Sequence, residues 1–432
     1  GPLSIACVMF TGGCMFGKLN DDLKWLDAAV DIQGNITSTL TDEGPIFIAL
    51  YEKVEQGDYR LSKYRIRFGT GPFSFLVPPG KYYLFAFEDT NEDFTFQASE
   101  YVGWYGGPTL IEAEPGTQLT DVDVRLRPPD KARLELPEIY ARDTPVATMQ
   151  LDSIELGEVV GLDDPRFSRA AGTLGLWQPV RFMQEGDGGL FFLEPYDPDR
   201  IPILFVHGMG GFAGEWRPII EHLDTDRFQP WVVQYPSGLR LDLLSQRLSN
   251  AVRELKIKYR LHTLFVVAHS MGGLLSRGFI QNYIDEGDTD LIGLFVTLST
   301  PWQGHASAQR GVSRAPAVIP AWYDMVPDSP YIRSLFENTG PDCFPYYLLF
   351  SYRGTRGFLP GENSDGTVTL RSQLAPVAQD EAEKIFGFDE GHVGILNGAG
   401  VFARLNTIFS HTADQRASDG RSCRERADDR FT

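Results

Sequence analysis

Two hydrophobic periods divide the chain. From Asp31 to about Arg127 the repeat is two residues: Ile46, Ile48 and Leu50 alternate with other residues, and Val122, Val124 and Leu126 alternate with Asp121, Asp123 and Arg125. That period puts one set of side chains on one face of a strand. The run Phe73-Ser-Phe-Leu-Val-Pro-Pro-Gly80-Lys-Tyr-Tyr-Leu-Phe-Ala-Phe87 predicts strand, turn, strand, with Pro78-Pro79-Gly80 making the bend. Short strands separated by Gly/Pro turns predict a small antiparallel β-sandwich over 30–130. Ahead of it, Leu19, Leu23, Leu26 and Val30 stand at helical spacing and predict a short amphipathic helix over 18–29. With the apolar run Leu3 to Gly17 this makes an N-terminal segment, 1–29.

Arg127-Pro128-Pro129-Asp130-Lys131 marks a boundary. After a stretch to about Gly189 with little pattern, strands and helices alternate. Ile201 to Val206 and Leu264 to Ala268 are continuously apolar, as strands buried on both faces of a parallel sheet must be. Leu244, Leu248, Ala251, Val252 and Leu255 form a helical stripe between them, and Leu291–Leu298 and Tyr346–Phe350 repeat the strand signal. The expectation is an α/β domain with a mostly parallel sheet over 131–410. His411 to Thr432 lacks apolar periodicity and predicts a disordered tail, 411–432.

Composition narrows the classes. A chain of 432 residues with 42% hydrophobic content is long enough for two or three domains and too apolar to be disordered. Its formal charge is −19, and no basic cluster offers a surface for phosphate backbones, so no nucleic-acid partner is expected. Cys7, Cys14, Cys343 and Cys423 are too scattered for a disulfide framework or a zinc site.

The chemistry concentrates in Val266-Val-Ala-His-Ser270-Met-Gly272-Gly273, between a buried strand and a helical pattern. A serine hydroxyl is a weak nucleophile that must be lifted clear of the sheet and set beside a base. A tight strand-to-helix turn does this and demands small residues two positions before and after, here Ala268 and Gly272. A second loop, His207-Gly-Met-Gly-Gly211, ends an earlier strand and can aim backbone N–H groups at an oxyanion.

With these residues the chain resembles the α/β-hydrolase family, more narrowly its lipases and esterases, over about 189–410. The resemblance implies an α/β-hydrolase fold and an oxyanion hole made by the N–H groups of Met209 and Met271. It also implies the order serine, acid, histidine. Position in that order selects His392, in Asp389-Glu-Gly-His392, as the base. Asn363-Ser-Asp365-Gly-Thr-Val368 is similar to the D-G-x-V segment of lipases and makes Asp365 the acid, with Asp389 and Asp328 in reserve. Ser299-Thr-Pro-Trp-Gln-Gly304 and Asp324-Met-Val-Pro-Asp-Ser329 are also lipase-like. Val318 to Tyr323, within 305–340, is expected to form a cap over an acyl pocket. The activity implied is carboxylic ester hydrolysis of a small-molecule ester or lipid through an acyl-enzyme on Ser270, with no cofactor. An acyltransferase or thioesterase with the same triad, and a non-catalytic envelope binding protein, are the alternatives.

Three smaller signals complete the reading. Phe75-Leu-Val-Pro-Pro-Gly-Lys-Tyr82 is similar to a pattern of prealbumin-like domains and supports the sandwich. Asp89-x-Asn91-x-Asp93 with Glu100 has the spacing of a calcium loop, but Phe94 stands where the sharp turn needs glycine, so an acidic hairpin loop is expected. Gly1-Pro2 looks like the remnant of a cleaved tag. Thr11-Gly-Gly-Cys14 resembles the end of a bacterial lipoprotein signal peptide, which implies a lipid anchor at Cys14 and a cell-envelope location; the alternatives are a buried N-terminal strand or short helix with Cys14 as an apolar core residue, and a cytoplasmic location.

Overall fold

The computed structural model describes all residues except 1–3, 40–43, 54–58, 98, 107–109, 129–154, 286–289, 338–343, 355–362 and 420–432. The chain divides into two compact units, one of 1–19, 155–251 and 259–432, the other of 20–154 and 252–258.

The smaller unit carries two sheets. In one, β1 (Val30–Thr37) pairs antiparallel with β4 (Gly71–Val77) and parallel with the short β8 (Gln118–Leu119) and β9 (Val124–Arg125). The other is antiparallel, in the order β3 (Tyr59–Phe68), β2 (Pro45–Lys53), β5 (Gly80–Glu88), β6 (Val102–Trp104), with β7 (Ile111–Ala113) also on β5. The bend at Pro78-Pro79 therefore passes the chain from one sheet to the other. Ile46, Ile48 and Leu50 face the core between the sheets, with Ile32, Phe75 and Val124. The intervening Phe47 and Ala49 are buried too, on the opposite face of β2, beneath Phe94 and Phe96. The parallel pairing of β8 and β9 departs from the all-antiparallel expectation. It follows from where the chain returns: Gly34 lets the Val122 carbonyl approach so closely that an added Cβ would lie 2.1 Å from its oxygen.

The larger unit is built on an eight-stranded sheet in the order β10 (Glu155–Val159), β11 (Gly189–Phe192), β13 (Phe228–Gln234), β12 (Ile201–Val206), β14 (Leu264–His269), β15 (Ile292–Leu298), β16 (Tyr346–Ser351), β17 (Lys384–Phe388). The pairings from β13 through β17 are all parallel, and β11 is antiparallel to β13. This is the mostly parallel α/β architecture expected. Its central strands are buried along their whole length, because helices cover both faces. The stripe Leu244, Leu248, Ala251, Val252, Leu255 is the buried face of the helix Leu241–Tyr259.

Two expected boundaries are corrected. The N-terminal helix is one element, Ser4–Ala28, longer than the 18–29 helix expected and including the apolar residues ahead of it. The side chains of its first residues, Cys14 included, lie outside the described ones. Among the described residues no helix is long and apolar enough to cross a membrane. The tail was expected to lose structure at His411, yet the last helix runs Ala399–Asp419. Leu405, Ile408, Phe409, Thr412 and Ala413 extend one buried stripe, and its last members are too small or polar to register as apolar periodicity. Residues 420–432 of the expected tail lie outside the described residues.

Candidate active site

Every residue of the site lies at the C-terminal edge of the parallel strands, where an α/β sheet opens a crevice. Ser270 follows β14 and holds φ of 55°, the left-handed region that side-chain-bearing residues avoid. Its amide donates to the Leu298 carbonyl at 2.8 Å, and the Ser270 carbonyl accepts from the Gly273 amide at 2.9 Å. Gly272 shows why the turn needs glycine: an added Cβ would lie 2.4 Å from the His207 oxygen and 2.5 Å from that of Val206. The helix Met271–Asp285 begins at once, so the Met271 N–H belongs to a first turn that has no intrahelical acceptor.

Two hydrogen bonds link the three expected side chains. Ser270 Oγ lies 2.8 Å from His392 Nε2, and His392 Nδ1 lies 2.7 Å from Asp365 Oδ2. A neutral ring with its proton on Nδ1 satisfies both contacts, leaving Nε2 to accept from the serine. Asp365 is 2% exposed, and its other oxygen accepts from the amides of Thr367 at 2.9 Å and Val368 at 2.7 Å. Burial pushes its carboxyl upward. The bond and charge of His392 together with the two amides outweigh this and hold it below the usual carboxylate range. The reserve acids are elsewhere: Asp389 pairs with Arg353 at 3.1 Å, and Asp328 is exposed.

The glycine-rich loop is locked against the serine. An added Cβ on Gly208 would lie 2.9 Å from Ser270 Cβ. Gly210 N–H donates to Ser237 Oγ at 2.9 Å, and Tyr235 donates to the His207 carbonyl at 2.6 Å while stacking on its ring. His207 is buried, which pushes its pKa down to about 4, so the ring is neutral and serves the loop's shape. Met209 follows Gly208 at the mouth of the loop and is half-buried. Behind the loop packs the helix Arg169–Trp177, where Gly172 allows the Gly211 carbonyl to approach to 2.5 Å of where a Cβ would stand.

The segment expected to hold a cap forms three short helices, Ala306–Arg314, Pro320–Met325 and Pro330–Ser334. Ile319 and Ala321 are fully buried, while Tyr323 is 47% exposed. Asp324 pins the segment, accepting from Arg240 Nε at 2.8 Å and from the Leu241 amide at 2.6 Å. The lipase-like 299–304 segment is tied to the acid loop: Ser372 Oγ donates to the Gly304 carbonyl at 2.6 Å, and His305 Nε2 meets the Thr367 carbonyl at 2.7 Å.

Sequence reasoning missed the supports. His269 is buried, which together with nearby His392 pushes its pKa down to about 3, and its Nε2 meets the His392 carbonyl at 2.8 Å. Ser351 and Gln373 reach Asp365 from 14 and 8 residues away. No local spacing marks such partners.

The calcium-like spacing resolves into an ordinary loop. Asp89 accepts from the amides of Asp93 at 3.1 Å and Phe94 at 2.8 Å, and Glu100 accepts from those of Thr90 at 3.1 Å and Gln97 at 2.9 Å. Among the described residues no group of His, Cys, Asp or Glu side chains is arranged to hold a metal.

Residues 203–405 match the sequence model of the alpha/beta hydrolase family, in agreement with the fold. No curated protein matches the sequence. Similar solved structures include a mature lipase of Bacillus licheniformis, 18% identical, covering 51% of this chain and 97% of that one, TM-score 0.40. A lipase B of Aspergillus fumigatus is 13% identical, covering 64% of this chain and 68% of that one, TM-score 0.41. A type II thioesterase from the borrelidin biosynthetic cluster is 18% identical, covering 52% and 97%, TM-score 0.37.

Proposed function

We propose, for an α/β-hydrolase domain with this geometry, that the protein cleaves carboxylic esters through an acyl-enzyme on Ser270. The observation that carries the reading is the unbroken chain Ser270 Oγ, His392 Nε2, His392 Nδ1, Asp365 Oδ2, with links of 2.8 and 2.7 Å, on a left-handed serine. His392 takes the serine proton as Oγ attacks the carbonyl carbon. The Met209 and Met271 N–H groups receive the oxyanion, each worth roughly 3–4 kcal/mol at the transition state. His392 then gives its proton to the leaving alkoxide. A water, deprotonated by the same ring, attacks the acyl-serine and releases the acid. Asp365 stays ionised and steadies the imidazolium.

The test is a panel of chromogenic esters of rising acyl length, with thioesters and added alcohols as further arms. Ser270→Ala lowers ester turnover by at least about 10⁴-fold while the protein stays folded. A fluorophosphonate labels the wild type only. Labelling that persists in Ser270→Ala moves the nucleophile elsewhere, and acyl transfer to alcohol in preference to water replaces hydrolysis with transferase chemistry.

A further inference from the structure

Three polar side chains lie buried behind Asp365: Ser299 and Ser351 are 0% exposed and Gln373 is 1% exposed. The direction of each bond among them follows from its partners. Ser351 Oγ donates to Asp365 Oδ2 at 2.9 Å. A hydroxyl donates once, so its 2.6 Å contact with Ser299 Oγ must be donated by Ser299. Gln373 Nε2 faces only acceptors, Asp365 Oδ2 and the Ser351 carbonyl at 3.1 Å and the Val368 carbonyl at 3.2 Å. Its Oε1 accepts from the Ser351 amide at 3.0 Å, which fixes the orientation of the amide. Ser299 adds a second, independent sign. It holds φ of 53° right after β15, a conformation that glycine would adopt without strain, yet the residue carries the hydroxyl that starts the relay.

We infer that Ser299, Ser351 and Gln373 are positioning residues that aim the Asp365 carboxylate at His392 and spread its charge. The catalytic consequence rests on the hydrolase reading above. With Oδ1 held by two amides and Oδ2 by the relay and by Gln373, the carboxylate cannot rotate, and the remaining direction at Oδ2 belongs to His392 Nδ1. Fewer donors concentrate charge on Oδ2, which favours the protonated imidazole and moves the acid limb of the activity profile to higher pH.

The experiment uses the full chain with Ser351→Ala, Gln373→Leu and Ser299→Gly. The glycine variant removes the hydroxyl and relieves the left-handed backbone, so it keeps the test open if a buried substitution fails to fold. Ser351→Ala lowers kcat about tenfold with KM unchanged, and Ser299→Gly lowers it about threefold. In both, the acid limb of the kcat profile moves up by about half a unit, and the far-downfield proton resonance of the His392–Asp365 bond shifts. A merely structural role would lower the melting temperature and leave limb and resonance in place. Wild-type activity with unchanged kcat, limb and resonance in the folded variants overturns the proposal. If the wild type hydrolyses no ester, the hydrolase reading fails and the resonance alone decides: no shift in Ser299→Gly and Ser351→Ala overturns the positioning role.

Discussion

Two loops of this molecule bury carboxylates and give them backbone amides, and they come out opposite. In the larger unit Asp365 accepts from two amides and is held below the usual carboxylate range. In the sandwich, Asp89 and Glu100 each accept from two amides as well, yet burial raises both, Glu100 to about 7. The difference lies in what else they face. Asp365 meets His392, a group able to carry positive charge, and three side-chain donors in all at Oδ2. Asp89 instead faces the charge of Asp93, and Glu100 the charges of Asp89 and Asp93, all of which push them upward. Amide collars alone make a carboxylate a structural pin. A partner that can become a cation keeps it ionised.

The largest effect expected from this contrast is on catalysis. Asp365→Asn lowers kcat by about 10⁴-fold with KM little changed, since the imidazole is held in the wrong tautomer. Asp89→Asn leaves kcat within about twofold of wild type, because the Asp89 carboxylate is taken up by amides of its own loop. Steady-state ester kinetics on both variants check the pair. Loss of activity in the second, or its retention in the first, breaks the comparison.

A smaller effect is expected on stability, and its sign follows from linkage. The folded Glu100 holds its proton to about pH 7, whereas the unfolded side chain gives it up near the ordinary glutamate value. Between those values the folded state binds more protons. Its stability is therefore complete at the acid end and falls as pH rises through about 7. The drop is on the order of 2 kcal/mol, and Glu100→Gln flattens it. Denaturant melts followed by far-UV circular dichroism from pH 5 to 8 measure the slope. A slope that survives in the glutamine variant assigns it to another group.

The smallest effect concerns metal. The oxygens that a calcium ion would need already accept from their own loop. Millimolar Ca²⁺ or EDTA therefore shifts the melting temperature by less than about 1 °C. A rise of several degrees in Ca²⁺ would restore the calcium-loop spacing as a binding site.

What the sequence made legible was whatever sterics enforce locally. Small residues must flank Ser270, and Gly272 sits where no Cβ fits, so the elbow is written within eight residues. Continuously apolar strands announce a sheet covered on both faces. Elements whose packing depends on smallness were invisible. The helix Arg169–Trp177 reads Arg-Ala-Ala-Gly-Thr-Leu-Gly-Leu-Trp, and its Gly172 and Gly175 are there to let other backbones approach. They also erase the periodicity by which a helix is recognised. β10, Glu155 to Val159, is a short edge strand with two glutamates, and it carried no apolar alternation. The Asp365 supports were unreadable because hydrogen bonds to a carboxylate leave no spacing rule behind.

The hydrogen-bonded chain Ser270–His392–Asp365 joins residues 122 and 27 positions apart, from loops beyond strands β14, β16 and β17, which meet only when β15 and β16 have been laid between them. Collapse alone cannot produce that meeting, since parallel neighbours far apart in sequence pair late and slowly. On the function proposed above, a chain that reacts with a fluorophosphonate is thus a chain whose far half has closed. Titrating Ser270 during refolding would then count finished molecules, including in mixtures where spectroscopy sees only secondary structure.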